Sequence, residues 1–299
     1  MTQGFVTIAT GNVWYYRLAL NLLHSYRLHS SNQYPFAIIC DKENEVTKEF
    51  DDVIVMENAL CSCVDKVVLP DYLPYDETIF IDADCLVYGD IDNYWDSFSE
   101  ATSFSAFGSV CPDDSLYGWF KKDEVGDYSD SIRFIPEFNG GVYYLRKSEE
   151  LEAFAVTAKD ILQNYRDYRF RQFTKPADEP IFALAMAVHG FKPAGDKSQP
   201  VAVYPFANTF ECDIVSGTNT YDNRFFPAGG VMHDASLIHW CAALTHNVPY
   251  RMEEYKLNRM LKGKTPGKAE LALVKAALTV YKRSRELARK IIDCTRTTR

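Results

Sequence analysis

The sequence predicts an α/β protein built on a doubly wound sheet, with helices covering both faces of a buried layer of strands. Short runs of strand-forming apolar residues alternate with segments of helical periodicity along most of the 299 residues. Several of these runs end close to acidic residues, which is typical of buried parallel strands whose carboxyl ends form a ligand-binding edge. A chain of this length can bury one large core, or one main domain with a small appendage.

The first half of the chain contains four predicted strands and one long helix. A strand over residues 5–10 is followed by a Gly11-Asn12 turn and a helix over residues 14–26. The other strands are predicted at residues 36–40, 53–56 and 78–81. This order of strand, helix and strands indicates βαβ units and therefore a largely parallel sheet.

The second half continues with a strand near residues 103–107, a loop that extends to Arg133, and a strand at residues 138–145 entered through a glycine turn. Helices are predicted at residues 149–165 and 178–189, the second with Asp178 as its N-cap and Pro180 at an early position. Residues 205–235 are predicted to be irregular and to form a mobile flap, before a last strand at residues 237–241.

Composition excludes several classes of protein. The hydrophobic content of 47% and the charged content of 24% are those of a globular protein. The N-terminus lacks the pattern of a signal peptide, no segment is apolar enough to span a bilayer, and the eight cysteines are scattered. These features predict a cytoplasmic protein with reduced thiols.

The charge is distributed unevenly. Residues 256–299 carry 13 Lys and Arg against three Asp and Glu, a balance of +10, so the net charge of −9 leaves −19 on residues 1–255. An acidic body argues against nucleic acid as the main partner. We therefore expect a main domain over residues 1–255 and a basic tail over residues 256–299.

The most informative motif is the aspartate pair Asp82 and Asp84, which directly follows the strand at residues 78–81. Carboxylates are costly to bury unless they are paired or hold a metal. Residues two apart in an extended chain point to the same side, so both carboxylates could present oxygens together at the carboxyl end of a buried strand. Oxygen ligands suit Mg²⁺ or Mn²⁺, which could neutralise a departing diphosphate. Two solvated aspartates in a turn are the alternative.

Five blocks in order resemble the retaining GT-A glycosyltransferases of family 8, the group that contains glycogenin and lipooligosaccharide galactosyltransferases. They extend from about Phe5 to Tyr250 and read VTIATGNVWYYRLAL, KVVLPDYLPYDETIFIDADCLV, FNGGVYYL, ADEPIFAL, and LIHWC followed by Pro249-Tyr250. The resemblance implies a GT-A fold with a mixed, mainly parallel sheet. It also implies a UDP-sugar donor, a Mn²⁺ or Mg²⁺ ion, and transfer with retention at the anomeric carbon.

The resemblance implies a role for each matching residue. Asp82, Asp84 and His239 would be the metal ligands, with Asp84 the closer aspartate and Asp82 shared with the ribose. The residues expected to contact the donor are Ala9, Thr10, Asn12, Trp14, Lys66, Asp82, Ala83, Asn139 and Gly140. Four of them have alternative explanations: Trp14 as a core residue, Lys66 as a surface lysine, and Asn139 and Gly140 as residues of a strand-entry turn. His239 could likewise be an ordinary buried histidine.

Asp178 and Glu179 would form the catalytic pair, with Lys66 beside them. Asp178 matches a family aspartate that holds sugar hydroxyls, and Glu179 stands where the family has glutamine. A carboxylate there could support an oxocarbenium-like transition state or form a covalent glycosyl intermediate. We favour electrostatic support of a front-side displacement. An acidic first helical turn that complements the helix dipole is the alternative.

The final block departs from the family pattern. Cys241 stands at the glycine position, and the run LTHNVPY lacks the lysine that binds diphosphate in the family. His246 could substitute for that lysine by donating to phosphate. Two other functions remain as alternatives: a nucleotidyltransferase of related fold, and a sugar-nucleotide-binding protein without turnover. The basic glycine-rich loop of the first is missing, and the second would not need an intact aspartate pair.

The basic tail has its own pattern. Apolar residues at helical spacing are Leu271, Val274, Leu278, Tyr281, Ala288 and Ile292, with Lys and Arg between them. A basic amphipathic helix is typical of a peripheral membrane element that binds anionic lipid. The acceptor expected from the resemblance is a saccharide, a glycolipid or a protein. The alternative for the tail is a helix packed on the domain with a solvated basic face.

Overall fold

The computed structural model describes residues 1–111, 118–171, 173–195, 201–223 and 230–297. The strands of this part of the chain are β1 (Gln3–Ala9), β2 (Phe36–Cys40), β3 (Asp52–Val55), β4 (Glu77–Ile81), β5 (Cys85–Val87), β6 (Phe104–Cys111), β7 (Ile135–Arg146), β8 (Val201–Val203), β9 (Ala207–Asp213), β10 (Thr218–Asn223), β11 (Gly230–His233) and β12 (Leu237–His239). The α-helices are α1 (Val13–His29), α2 (Tyr94–Ser97), α3 (Glu149–Gln163), α4 (Asp178–His189), α5 (Val248–Met260) and α6 (Lys268–Thr297).

The central sheet has six strands in the order β3-β2-β1-β4-β7-β6. Strands β1 to β4 are parallel, whereas β7 is antiparallel to both of its neighbours. Strand β6 therefore has the same direction as β4, and only β7 opposes the other five. The prediction of an α/β fold with a mixed, mainly parallel sheet is confirmed.

Helices cover both faces of this sheet. Phe5 belongs to the apolar cluster that includes α1 and α5, while the adjacent Val6 belongs to the cluster that includes α3 and α4. This alternation follows from the two-residue period of a strand, and it explains why β2 and β4 are buried along their whole length. Among the described residues, no helix combines the length and the apolar composition needed to cross a membrane.

Two predictions about the second half are wrong. The supposed glycine turn lies inside β7, and neither Gly140 nor Gly141 has a positive φ. Residues 205–235 were expected to be irregular, yet their described part forms the antiparallel sheet β11-β10-β9, with Gly217 in the left-handed conformation at the turn before β10. Residues 224–229 lie outside the described part. Phe210 of β9 lies directly opposite Tyr221 of β10, and cross-strand aromatic pairs of this kind stabilise antiparallel strands.

A small sheet, β5-β12-β8, connects the centre of the chain to its last strand. Strand β5 follows the aspartate pair, and β12 ends at His239, which lies directly opposite Cys85. This pairing brings His239 to the carboxyl end of β4. Helix α5 follows and continues through the expected boundary between residues 255 and 256.

Candidate active site

The candidate site lies at the carboxyl end of β4, where the chain makes a tight turn between β4 and β5. The backbone N–H of Asp82 donates to the carbonyl of Gly141 (2.9 Å), and the N–H of Cys85 donates to the carbonyl of Asp82 (3.0 Å). Asp82 retains partial exposure, whereas Asp84 is buried. The turn thus fixes both carboxylates at the edge where parallel strands of open sheets present ligand-binding groups.

Lys66 links two of the predicted residues. It belongs to the 3-10 helix Cys63–Tyr72, and its Nζ lies 2.7 Å from Oδ2 of Asp82 and 3.0 Å from Oδ2 of Asp178. Burial alone would lower the pKa of Lys66, but the negative charges of Asp178 and Asp82 outweigh it and raise the pKa well above its usual value. Lys66 is therefore a charged, largely buried lysine and not a surface residue.

Asp178 is the first residue of α4, but it is not the N-cap as predicted. Ala177 occupies the cap position, and no side chain caps the helix. The carboxylate of Asp178 points into the site instead, where its Oδ2 accepts from the hydroxyl of Tyr143 (2.7 Å) and pairs with Lys66. The two partners account for the burial of this carboxylate, because a buried charge needs both pairing and hydrogen bonds.

Glu179 binds the backbone of β7. Its Oε1 accepts from the N–H of Gly140 (2.7 Å) and from Nδ2 of Asn139 (3.2 Å). Burial, followed by repulsion from Asp178, raises the pKa of Glu179 to about 7. Glu179 can therefore change its protonation state near neutral pH.

Asn139 connects Glu179 to His239. Its Oδ1 contacts Nδ1 of His239, and because an amide oxygen only accepts, Nδ1 carries the proton. Nε2 of His239 then faces the aspartates, 3.0 Å from Oδ1 of Asp84 and 3.9 Å from Oδ2 of Asp82. Burial opposes the charged imidazole, but Asp84 outweighs this effect and raises the pKa of His239 well above its usual value.

The donor set fits a divalent cation. Oδ1 of Asp84 is buried, accepts no hydrogen bond by distance and angle from the described residues, and lies 3.0 Å from Nε2 of His239, the distance of an ion pair. Among the described residues, Asp84, Cys85 and His239 bring one ligand atom each within 4.8 Å of one another. A buried carboxylate oxygen beside an oriented imidazole is what a metal site provides. Asp82 lies next to this group but is held by Lys66.

Two consecutive glycines in β7 make room for these side chains. A Cβ at Gly140 would lie 2.7 Å from the hydroxyl of Tyr143 and 2.9 Å from Oδ2 of Asp178, and a Cβ at Gly141 would lie 2.9 Å from Nδ1 of His239. Glycine is therefore required here by close approach and not by a turn.

A β-bulge between β6 and β7 changes the direction in which the side chains of this part of β7 point. Ala106 pairs with Tyr143 and Gly108 pairs with Phe138, so two steps along β6 correspond to five along β7. The extra residues of β7 include Asn139, Gly140 and Gly141. Bulges of this kind turn side chains away from the regular strand direction and are common beside functional sites.

A second group lies at the start of α1. Nε1 of Trp14 donates to Oγ1 of Thr245 (3.0 Å), and the Trp14 ring stacks on the imidazole of His246 with a centroid distance of 4.4 Å. The guanidinium groups of Arg17 and Arg251 each lie 5.3 Å from the centre of the Trp14 ring. Trp14 and His246, two predicted donor-binding residues far apart in sequence, thus contact each other, and the ring of Trp14 also contacts two cations.

The end of β1 contains three predicted nucleotide-binding residues. Ala9 is buried, Oγ1 of Thr10 donates to Oδ2 of Asp65 (2.8 Å), and Oδ1 of Asn12 caps α1 by accepting from the N–H of Trp14 (2.8 Å). The side chains of Thr10 and Asn12 are therefore engaged within the chain. Burial, and then the negative charges of Asp84 and Asp82, raise the pKa of Tyr15.

Ala83, the last predicted residue, is buried between the two aspartates, and its N–H donates to Oδ1 of Asp82 (3.1 Å). Sequence reasoning missed the contributions of Tyr143, Asp65 and Cys85. Cys85 is adjacent to the aspartate motif and could have been considered as a ligand. Tyr143 and Asp65 carried no such signal, because their partners lie 35 and 55 residues away.

No protein-family model and no curated protein sequence matches this chain. The galactosyltransferase LgtC, in complex with donor and acceptor sugar analogues, is similar with a TM-score of 0.47 and 13% identity over 80% of this chain and 87% of LgtC. The apo bifunctional glycosyltransferase WbbM gives a TM-score of 0.46 and 13% identity over 81% of this chain and 46% of WbbM. The apo form of the glycosyltransferase GlyE of Streptococcus pneumoniae TIGR4 gives 0.43 and 14% over 67% and 46%. Similarity at this level bears on neither substrate nor reaction.

Proposed function

We propose that this chain is a metal-dependent, retaining glycosyltransferase with a GT-A fold that moves a hexose from a UDP-sugar to a saccharide, glycolipid or protein acceptor. One observation carries the proposal: residues from four distant sequence blocks meet at a single edge of the sheet. Lys66 bridges Asp82 and Asp178, and Asn139 bridges Glu179 and His239. Apart from Glu179, which stands where the family has glutamine, these residues belong to the blocks on which the resemblance to family 8 rests.

The contacts suggest a separate role for each of these residues. Asp82, Asp84 and His239 would hold a Mn²⁺ or Mg²⁺ ion, which neutralises the diphosphate of the donor as it leaves. Asp178, fixed by Tyr143, presents a carboxylate that can accept hydrogen bonds from sugar hydroxyls. Lys66 lies between the metal site and Asp178 and can donate to the donor phosphate or sugar once a ligand competes for it.

Glu179 is proposed to supply negative charge at the reacting carbon. Its Oε1 is held by Gly140 and Asn139, so the carboxylate is pre-oriented before the donor binds. An oriented carboxylate stabilises the positive charge that develops on the sugar ring in an oxocarbenium-like transition state. At the opposite end of the donor, Trp14 and His246 would lie beside the base and the diphosphate, with Arg17 and Arg251 as neighbouring cations.

The test is a screen of UDP-sugars for UDP release and product formation with Mn²⁺, with and without EDTA. We expect turnover with one donor class, loss in EDTA, and retention of the anomeric configuration. Asp84→Asn should abolish activity, whereas Asp71→Asn, which removes an exposed partner of Lys159, should leave it unchanged. No turnover from any UDP-sugar, or full activity of Asp84→Asn, would contradict the proposal.

The same screen separates the alternatives. A nucleotidyltransferase would form a nucleotide sugar from a sugar phosphate and a nucleoside triphosphate, and would release diphosphate. A sugar-nucleotide-binding protein would bind a UDP-sugar in the presence of Mn²⁺ without consuming it. Either result would replace glycosyl transfer as the function of this site.

The proposal includes a cytoplasmic protein whose tail, residues 256–299, docks on an anionic membrane surface. Val274 and Leu278 face α5 and line a cavity of about 130 Å³ with Arg17 and Arg251, so part of the expected apolar face is directed at the body. Leu273, Val280 and Tyr281 are more than half exposed, beside exposed Lys282 and Arg283. Exposed apolar groups next to cations support lipid binding.

Sedimentation with vesicles tests this role of the tail. The full chain should sediment with vesicles that contain phosphatidylserine and dissociate from them at high salt. It should not bind neutral phosphatidylcholine vesicles. A chain ending at residue 264 should no longer bind. Equal binding by both chains would assign membrane contact, if any, to the body.

A further inference from the structure

Cys85 lies inside the proposed metal site, although neither the sequence motif nor the proposed reaction requires a cysteine there. It begins β5 and is directly opposite His239 in the antiparallel pair with β12. Side chains of directly opposite residues project from the same face of a sheet. The Sγ of Cys85, a nitrogen of His239 and a carboxylate oxygen of Asp84 consequently lie within 4.8 Å of one another.

Backbone contacts fix this arrangement. The N–H of Trp240 donates to the carbonyl of Asp84 (3.1 Å), so β12 is tied to the turn that carries the aspartate. Asn139 orients His239 by accepting from Nδ1, which leaves Nε2 for a ligand. All three side chains are buried, and Oδ1 of Asp84 accepts no hydrogen bond from the described residues and lies 3.0 Å from Nε2 of His239. Asp82 is less available, because Lys66 contacts its Oδ2 at 2.7 Å.

The chemistry of this set differs from that of an all-oxygen site. Carboxylates and water suit Mn²⁺ and Mg²⁺, whereas a thiolate selects softer ions such as Zn²⁺. Zn²⁺ is commonly bound by Cys, His and Asp in a tetrahedral arrangement. The fourth position can be taken by water or by a diphosphate oxygen.

We infer that Asp84, Cys85 and His239 form a zinc-binding site, in which Zn²⁺ binds more tightly than Mn²⁺ or Mg²⁺. On binding, Sγ of Cys85 and Nε2 of His239 each exchange a proton for a bond to Zn²⁺, and both protons leave to the buffer without any change of oxidation state. The inference uses the metal pocket of the proposed function, but it concerns affinity for the ion and not glycosyl transfer. Zn²⁺ then displaces Mn²⁺ from the pocket and inhibits Mn²⁺-dependent turnover.

Cobalt provides the first test, because Co²⁺ replaces Zn²⁺ in such sites and reports a thiolate ligand by its charge-transfer absorption in the near ultraviolet. The full-length protein is prepared with Ser at the exposed Cys61 and Cys63, so that these thiols do not contribute. We expect one equivalent of Co²⁺ to produce the band, and Cys85→Ala to lose it. Cys40→Ala, which removes an equally buried thiol from β2, should keep it.

Zinc affinity provides the second test, by competition with a chromophoric chelator. Cys85→Ala should weaken Zn²⁺ binding by at least about 10- to 100-fold, a loss found even for outer-shell partners, and should leave Mn²⁺ affinity unchanged. Cys85→Ser keeps the size of the side chain and should behave in the same way if Cys85→Ala fails to fold. A wild-type cobalt adduct without the thiolate band, or unchanged Zn²⁺ affinity in a folded Cys85 variant, would overturn the inference. These measurements need no donor, so the inference can fail while UDP-sugar turnover succeeds, and the reverse.

Discussion

At the scale of single residues, Glu179 determines the expected pH dependence of activity. Its pKa is raised to about 7, so it is protonated below that pH and negatively charged above it. Because the proposed role needs the charge, kcat should fall as the pH decreases through about 7. In Glu179→Gln, kcat should no longer fall as the pH decreases through about 7. The variant should also lose about 100-fold in kcat, which is the usual effect of removing one preorganised electrostatic group. Glu149→Gln, in the exposed first turn of α3, is the matched control. If kcat of Glu179→Gln still falls below pH 7 as in the wild type, another group causes the pH dependence.

The same carboxyl group should affect stability with a definite sign. A pKa raised in the folded protein means that the contribution of Glu179 to stability is complete below its unfolded pKa, near 4.5, and is lost as the pH rises to about 7. Glu179→Gln keeps an oxygen for Gly140 and avoids this loss. We expect the variant to be more stable than wild type by about 1–2 kcal/mol at pH 8 and equal to it near pH 4.5. Urea unfolding at both pH values measures this, and equal stabilities at pH 8 would refute it.

Lys66 should be important for folding as well as for binding. Lys66→Met leaves the carboxylates of Asp82 and Asp178 without their shared cation, and removal of one partner from a buried ion pair costs about 3 kcal/mol or more. Lys159→Met breaks a half-exposed pair with Asp71 and should cost at most about 1 kcal/mol. Thermal or urea unfolding of the two variants compares these costs. Similar values would show that Lys66 is not an essential partner.

At the scale of elements, the bulge in β7 positions Asn139 and the two glycines against α4 and β12. Gly141→Ala would place a Cβ 2.9 Å from Nδ1 of His239, so the imidazole must move and its contact with Asn139 must change. We expect weaker Mn²⁺ binding, measured calorimetrically, together with a lower melting temperature. Gly195→Ala, where a Cβ would meet no atom of the described residues within 4 Å, should change neither quantity. If Gly141→Ala binds Mn²⁺ as tightly as the wild type, close approach of His239 does not require glycine at this position.

At the scale of the whole molecule, α5 determines where the body of the protein can end. Lys256 pairs with the buried Glu253 (2.7 Å) and with Asp213 (2.8 Å), and Leu257 is fully buried against the core. A chain ending at residue 255 loses Lys256, the cation paired with Glu253, so we expect it to unfold at a lower temperature than a chain ending at residue 264. Circular dichroism melting of the two chains against full length checks this. Equal melting temperatures would place the boundary at residue 255, as expected from the sequence.

The sequence by itself determined the α/β class, the strands β1 to β4 and the aspartate pair, because these depend on local periodicity and on the cost of burying charge. It misjudged Asp178 as an N-cap and residues 139–141 as a turn, because local rules cannot include the side chains of Lys66, Tyr143 and His239 that approach from distant segments. The flap prediction failed for the same reason, since β9 to β11 are stabilised by pairing with one another.

Only the tertiary structure decided which residues meet. Strand β12 begins 150 residues after the end of β5 in the chain, yet their pairing places His239 against Asp84 and Cys85. Such long-range pairing is determined by the summed burial of apolar surface across the whole core, which no local window contains. The motif could therefore be recognised from sequence, whereas the lysine bridge, the bulge and the thiol in the metal pocket could not.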